Sequence, residues 1–400
     1  MLTQELVKSL ARQTPSKIIL CVLDGLGGLP HPKTGKTELE TANIPNLDRL
    51  AKLGVCGLSM PVGPGITPGS APGHTALFGY DPVAVSIGRG VLEAVGIDFP
   101  IKRGDVLVRG NFCTVDKDGN ITDRRAGRIS TELNASLCPL LEMTIQDVRV
   151  ITAPVREHRF VIAFRGESLS PEVTESDPQV TGVPPNPVIA LSSKAAKMAR
   201  IANQFTESVG AILKKKKPAN MILMRGFSQI PRLPSMQEIY QLKPAAIATY
   251  PMYRGLARLV GMDILPTGAT IKDEVATLKK YYKNYDFFLL HIKKPDAAGE
   301  DGDFARKVQA LEEIDRFIPA IINMKPDVLV VTGDHSTPAV LKGHSWHPVP
   351  TILYSQFCRF DAVTEFSESA CLRGGLGIFP ATHIMPLAMA NALKLNKYGA

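Results

Sequence analysis

Asp334 and His335 are adjacent, and His344 and His347 follow closely, in the run Val331-Thr-Gly-Asp-His-Ser-Thr-Pro-Ala-Val-Leu-Lys-Gly-His-Ser-Trp-His-Pro348. Carboxylate and imidazole groups with no cysteine nearby suit zinc, manganese or a similar divalent ion better than a soft-metal or iron–sulfur site. Alone, the pair is equally consistent with a capped turn. Two other stretches bring carboxylates: Asp24 in Asp24-Gly-Leu-Gly-Gly28, and Asp296 with Glu300 in Lys293-Lys-Pro-Asp-Ala-Ala-Gly-Glu-Asp-Gly302. If 296–300 is helical, the i, i+4 spacing puts both acids on one face. The alternative is an acidic turn before a helix capped by Asp303. Together, Asp24, Asp296, Glu300, Asp334, His335 and His344 supply ligands enough for two divalent ions. Such a pair clamps the attacking and leaving oxygens of an in-line displacement. Phosphoryl transfer profits most, because its catalysis is mainly positioning and charge neutralisation. Ser70 lies in a Gly- and Pro-rich loop, Gly63-Pro-Gly-Ile-Thr-Pro-Gly-Ser-Ala-Pro-Gly-His74. Its hydroxyl is either a helix N-cap or a nucleophile activated beside a metal.

The elements before these residues are what would bring them together. Lys17–Leu23, Asp286–Ile292 and Asp327–Thr332 are almost unbroken apolar runs, the pattern of parallel strands buried on both faces. Each runs out into one of the acidic stretches, and Gly333 is expected to turn the chain sharply. The carboxyl edge of an open α/β sheet is where ligands bind. Further strands are expected at Asn220–Met224, Ala245–Thr249 and Pro350–Leu353. Helices are expected over 1–15, Leu47–Leu53, Thr75–Phe78 and 187–217, after Tyr250 through Val260, from Asp303 with a stripe of Phe304, Val308, Leu311, Ile314, Ile318 and Ile321, and after Pro386. Strands alternating with helices predict an α/β fold with a doubly wound, mostly parallel sheet. Residues 105–185 differ. Val106–Val115 and Arg159–Phe164 are short runs separated by turn signals such as Asp118-Gly119, which predicts an inserted, smaller α+β domain with an antiparallel sheet. The expected division is a core of 1–104 with 186–400 and an insertion of 105–185, rich in arginine (Arg124, Arg125, Arg128, Arg156, Arg159, Arg165).

Bulk composition narrows the function classes. The 400 residues exceed one comfortable core, and 44% hydrophobic content fits a globular protein. No apolar run approaches the ~20 residues that span a bilayer, and the first residues lack the pattern of a secretory signal. A cytoplasmic protein with no membrane partner is expected. Six cysteines are scattered without a Cys-x-x-Cys pair, so neither a disulfide framework nor a cysteine zinc site is expected. The net charge of +8 is dispersed. Its one dense run, Lys214–Lys217, closes a predicted helix and complements the dipole there. A nucleic-acid partner is therefore not expected; a small anionic substrate gripped by arginines is. The glycines after Asp24 form neither G-x-G-x-x-G nor a P-loop.

Several motifs, in order from about residue 16 to the C-terminal end, carry a resemblance. They are Leu23-Asp-Gly-Leu-Gly, Pro68-Gly-Ser, Phe78-Gly-Tyr-Asp-Pro, Gly88-Arg-Gly, Arg125-Ala-Gly-Arg-Ile-Ser-Thr131, Glu157-His-Arg159, His291-Ile-Lys-Lys-Pro-Asp, Gly302-Asp-Phe and Val331-Thr-Gly-Asp-His-Ser-Thr-Pro. The chain resembles the archaeal-type cofactor-independent phosphoglycerate mutases of the alkaline phosphatase superfamily. The resemblance implies interconversion of 3-phosphoglycerate and 2-phosphoglycerate through a phosphoserine, with two manganese, zinc or magnesium ions and no bisphosphoglycerate. It places Asp24, Ser70, Asp334 and His335 about one ion, and Asp296, residue 300 and His344 about the other, with Ser70 as nucleophile. The insertion would be a cap that reorients the glycerate. Arg128, His158 and Arg159 match its motifs as substrate contacts, and Asp177, Arg225 and Arg254 are added as candidates. A homo-oligomer is left open. Three departures stand out: Glu300 where the family commonly has histidine, Ala71 after the serine where it often has aspartate, and Trp346-His347. Glutamate favours a harder metal than histidine does. The alternative to the mutase is a related phosphotransferase or phosphatase acting on another small hydroxyl compound such as homoserine.

Overall fold

The structure, a computed structural model, describes residues 4–85 and 87–399. It divides into two compact units, Met1–Ser86 with Leu233–Ala400, and Ile87–Arg232. The first is built on an eight-stranded sheet in the order Asp263–Ile264, Pro244–Ile247, Phe287–Ile292, Ile18–Leu23, Val328–Thr332, Val349–Ser355, Val55–Met60, Gly377–Pro380. All neighbours are parallel except Val349–Ser355, which runs against both of its partners. Every residue of Ile18–Leu23, Phe287–Ile292 and Val328–Thr332 is buried. That is why these runs lack polar alternation.

The two faces do different jobs. Ile19, Cys21, Leu23, Phe288, Leu290, Leu329 and Val331 pack under the helices carrying Leu47 and Leu50, Ile271 and Leu278, and Leu311 and Ile314. Side chains alternate along a strand, so Val22, His291 and Thr332, which share one register line, face the other way. There the helices Ser70–Leu77 and Pro251–Leu259 lie over them, as the rings of His74 and Tyr253 against His291 show.

Several element boundaries depart from expectation. Of the helix expected over 1–15, Gln4–Leu10 forms, and residues 1–3 lie outside the described part. The apolar stripe from Phe304 is divided between two helices, Phe304–Asp315 and Ile318–Ile322. Asp303 does cap the first, accepting from the Arg306 backbone N–H. The helix expected over 187–217 is shorter, Ala196–Leu213, with the lysine run beyond its end. Gly333 is not in the left-handed region. A side chain there would meet the Leu23 carbonyl at 2.8 Å, so the residue permits close strand approach rather than a turn. The cysteines are free, and all but Cys358 are buried.

The second unit holds a six-stranded antiparallel sheet: Ile121–Asp123, Val106–Val115, Arg159–Arg165, Val148–Arg156, Met143–Ile145, with Met221–Ser228 also along Val106–Val115. The strand expected near 220–224 in the parallel sheet is therefore here instead. Met198, Ile201, Phe205 and Val209 of the long helix fill the same core, and the helix Arg89–Gly96 packs on the sheet. The unit thus extends beyond 105–185 at both ends: the helix Arg89–Gly96 packs on its sheet, and Met221–Ser228 hydrogen-bonds to its central strand and carries the preceding helix with it.

One buried acid gives the larger unit a pH signature. Glu274, on the helix Ile271–Tyr281, is 3% exposed. Burial, only partly offset by Lys294, pushes its pKa up to about 8. An unfolded chain releases this proton near pH 4.3, whereas the folded chain holds it to about 8, so folding loses stability as pH rises through that window. Glu274→Gln is expected to leave the melting temperature at pH 5 little changed and to stabilise the chain by a few kcal/mol, about 2 or more, at pH 8. Equal melting shifts at both pH values would show that Glu274 is ionised in the fold.

Candidate active site

Asp24, Asp296 and Asp334 follow three adjacent strands and are all fully buried. Gly25 (φ +66°) makes the turn after Asp24, where a side chain would press on Thr337 Oγ1 at 2.6 Å. Its N–H donates to Asp334 Oδ1 at 3.3 Å. Asp334 Oδ2 lies 3.1 Å from His335 Nε2 and 3.2 Å from His74 Nδ1. Ser70 Oγ is 3.2 Å from the same His335 Nε2, which is 3.5 Å from Asp24 Oδ1. Ser70 is the first residue of the helix Ser70–Leu77, and Gly69, not Ser70, holds the cap position without a side-chain bond. The hydroxyl is thereby free of the capping role it could have had.

Two histidines have their tautomers set by their neighbours. His344 Nδ1 is 2.9 Å from the Pro68 carbonyl, which can only accept, so Nδ1 carries the hydrogen and Nε2 presents a lone pair. His335 Nδ1 lies 2.9 Å from Thr337 Oγ1, which donates onward to Asp296 Oδ1 at 2.8 Å. The two rings stack with centroids 3.6 Å apart. Fixing the far nitrogen in this way is how protein metal sites aim imidazoles. His344 Nε2 lies 3.5 Å from Asp296 Oδ1 and 3.7 Å from Glu300 Oε1. The i, i+4 spacing on the helix Lys294–Glu300 does turn both acids toward His344, but Glu300 is the last helical residue and its side chain is 54% exposed.

Charge in this cluster is unbalanced in a telling way. Burial and the Asp334 carboxylate push Asp24 up, yet His291 and Lys293 outweigh them and hold it below the usual range. Burial likewise opposes ionisation of Asp334, and His335 and His74 keep it well below. Burial disfavours protonated His335, but Asp334 and Asp24 raise it to about 9. Both oxygens of Asp24 and Oδ2 of Asp334 are nevertheless buried and accept no hydrogen bond among the described residues, although Lys293, His291, His335 and His74 stand 3.1–3.4 Å from Asp24 Oδ2 or Asp334 Oδ2 as ion pairs. Buried carboxylates normally have such partners or a metal. Among the described residues, two groupings have ligand atoms close enough to hold an ion: Asp24, Asp334 and His335, and Asp296, His335 and His344. The donor set of oxygens and imidazole nitrogens fits divalent ions.

Sequence reasoning overlooked several neighbours. Lys293 Nζ touches Asp296 Oδ2, lies 3.1 Å from Asp24 Oδ2 and donates to the Tyr253 hydroxyl at 3.1 Å. Tyr253 in turn reaches Ser70 Oγ at 3.4 Å. Buried Lys307 donates to the Gly27 and Thr337 carbonyls, both at 2.9 Å, and so ties the loop after Asp24 to the loop after His335. Lys293 stood in a quoted motif beside Asp296; nothing in the local sequence marks Tyr253 or Lys307. His347 is outside the cluster, with Nδ1 3.1 Å from Ser345 Oγ and its ring on Trp346. Arg254 follows Tyr253 and lines a hollow with Thr249 and Thr267.

The remaining candidates lie in the second unit. Asp177 is buried and holds Arg124 in a two-pronged contact of 2.9 and 2.7 Å, with Arg225 Nη1 3.7 Å away. Arg225 also pairs with Glu175 at 3.1 Å. Asp177 is thus a carboxylate that positions arginines. Burial pulls the Arg109 guanidinium down to about 10, and Arg159, Arg89 and Arg225 add to this. His158 is held near 4, first by burial and then by Arg159 and Arg109, and is neutral at physiological pH. Among the described residues, Arg159 Nε and His158 Nδ1 are buried without a hydrogen-bond partner, and Glu157 Oε2 lies 3.9 Å from His158 Nδ1. Arg128 is exposed and closes a left-handed run, Ala126-Gly-Arg128, pinned by Asp123 to the Arg125 and Gly127 N–H groups.

Known proteins share both this sequence and this architecture. The sequence profile of the family described as 2,3-bisphosphoglycerate-independent phosphoglycerate mutase matches residues 51–220. A Thermotoga maritima protein named "Probable 2,3-bisphosphoglycerate-independent phosphoglycerate mutase" is 50% identical over 401 residues, covering 99% of each chain. The chain belongs to this mutase family. A Thermus thermophilus protein of the same name is also 50% identical, over 98% of each chain. Among solved structures, the cofactor-independent phosphoglycerate mutase of Thermoplasma acidophilum is 30% identical with a TM-score of 0.74, covering 94% of this chain and 100% of that one. A Pyrococcus horikoshii protein is 29% identical with a TM-score of 0.83, covering 96% and 99%. The mutase family and its α/β fold are those implied by the motif resemblance.

Proposed function

We propose that the chain interconverts 3-phosphoglycerate and 2-phosphoglycerate, with Ser70 as the residue that carries the phosphoryl group between the two positions. The observation that carries this reading is the placement of Ser70 Oγ, 3.2 Å from His335 Nε2 at the mouth of a buried group of carboxylates. Asp24, Asp334 and His335 would hold one divalent ion with Ser70, and Asp296, His344 and Glu300 a second. Ions held there supply positive charge to the phosphoryl oxygens and lower the pKa of the serine hydroxyl. Ser70 also begins a helix, and the partial positive charge of that terminus favours an anionic oxygen. The Thr337 and Pro68 contacts keep the two imidazoles aimed. Arg159 and Arg109, with Arg128, Arg225 and neutral His158, would grip the glycerate carboxylate or phosphate. Arginines suit such bidentate contacts, and the Nε of Arg159 is buried with no hydrogen-bond partner among the described residues. Arg254 would contribute from the core, and Asp177 would set the arginines rather than touch substrate.

The test is direct. Metal-loaded protein given 3-phosphoglycerate, with no bisphosphoglycerate added, should form 2-phosphoglycerate in an enolase-coupled assay, and EDTA should stop it. Release of inorganic phosphate without 2-phosphoglycerate would favour a phosphatase on this scaffold instead. Glu300 is tested separately. Glu300→Ala should keep one ion per chain through dialysis and lose about one equivalent, measured by elemental analysis. Unchanged metal content would make Glu300 a surface acid and leave the second ion to Asp296, His335 and His344.

A further inference from the structure

Tyr253 is fully buried, with its ring stacked 3.8 Å from that of His291 and tilted against that of His74 at 4.7 Å. Its hydroxyl lies between two groups, Lys293 Nζ at 3.1 Å and Ser70 Oγ at 3.4 Å. An ammonium has only hydrogens to give. The tyrosine oxygen therefore accepts from Lys293, and its own hydrogen is left for another acceptor. Lys293 is itself fixed, by Asp24 at 3.1 Å, by Asp296, and by the rings of Tyr250 and Tyr253, 5.8 and 5.5 Å away. Asp24 is the competing acceptor for the tyrosine hydrogen, and a carboxylate engaged by a divalent ion has fewer lone pairs to offer. Ser70 Oγ is the acceptor that remains.

We propose that the Tyr253 hydroxyl is a catalytic group of this site: it donates a hydrogen bond to Ser70 Oγ and stabilises negative charge on that oxygen, with Lys293 as the positioning residue. The inference rests on the reading of Ser70 as nucleophile. In the first half of that reaction the bond from Oγ to phosphorus forms, the bond from phosphorus to the glycerate oxygen breaks, and the proton given up by Oγ ends on that departing oxygen. In the second, the other glycerate hydroxyl bonds to phosphorus, the phosphorus–Oγ bond breaks with its electron pair on Oγ, and the proton given up by that hydroxyl ends on Oγ. Tyr253 keeps its proton throughout. A neutral donor aimed at an oxygen that becomes charged acts where charge develops.

Tyr253→Phe removes one oxygen and keeps the ring on His291 and His74. Turnover of 3-phosphoglycerate is expected to fall about 10- to 100-fold with KM within about threefold. Bound metal should be unchanged by elemental analysis. In protein labelled at Ser70 by phosphate-labelled substrate, loss of the label on adding glycerate should slow by a similar factor. Turnover within about threefold of the unmodified chain would overturn the proposal. A fall matched by loss of bound metal would overturn it too, because Tyr253 would then act only by supporting Asp24. The same ratio is measured with 4-nitrophenyl phosphate as phosphoryl donor. If phosphoglycerate proves inert, the substrate reading fails, while the nitrophenolate rates of the two proteins still decide the role of Tyr253.

Discussion

Ser70→Ala is expected to leave the fold and most of the bound metal in place and to remove turnover. Ser70 is the first residue of its helix and its side chain bonds to no helix N–H, so the usual loss from removing a capping hydroxyl does not apply. Alanine is also a good helix former. The hydroxyl contacts only His335 Nε2 and the Tyr253 hydroxyl among the described residues. Deleting it should therefore change stability by less than about 1 kcal/mol. Chemistry is another matter. With no oxygen to receive the phosphoryl group, no neighbour within reach can substitute: His335 is aimed by Thr337 and occupied by two carboxylates, and Tyr253 is held as a neutral phenol. The expected fall in kcat is about 10⁴-fold or more. The checks are the enolase-coupled rate, incorporation of labelled phosphate into the protein, and metal content. Turnover within about tenfold of the unmodified chain would mean that the phosphoryl group passes directly between glycerate oxygens or through another residue.

The strand ends were legible because buried parallel strands write themselves as unbroken apolar runs, and each run led within four residues to an acid. Asp24, Asp296 and Asp334 could be assigned to one sheet edge on that ground alone. What meets them from above was not legible. Tyr253 reaches Ser70 because Pro251–Leu259 lies over the face to which His291 points. That depends on which helix covers which face, a tertiary fact with no local signature. The strand Met221–Ser228 shows the opposite failure. A short apolar run with a helix before it reads the same in either sheet, and only its pairing with Val106–Val115 assigns it to the second unit. Glu300 lies between these cases. Helical spacing turned it toward His344, but being last in its helix leaves it exposed, and exposure is not written in the spacing.

Asp334→Asn should have the second large effect, because this one carboxylate serves the loop, two imidazoles and a metal grouping together. Its Oδ1 accepts from Gly25 N–H, and its Oδ2 faces His335 and His74. The amide keeps a hydrogen-bonding oxygen but removes the charge that, against the opposing effect of burial, raises His335 to about 9. In the metal-free chain the imidazolium of His335 would then be left with weaker compensation, and removing one partner of a buried pair is destabilising by about 3–5 kcal/mol. The pH dependence has a definite sign. Asp334 is depressed in the fold, so its contribution is present above its unfolded pKa of roughly 4 and is lost only as pH falls through the lower folded value. The melting difference between the two chains should accordingly be full at pH 7 and narrow only in acid. With metal supplied, the variant should lose about one ion per chain, since neutral amides are poor substitutes for an anionic ligand. Its turnover should fall about 10³-fold or more, the scale set by removing a group that acts only with its neighbours. Two ions retained with near-normal turnover would show that Asp24 and His335 suffice, and would confine Asp334 to holding the loop through Gly25.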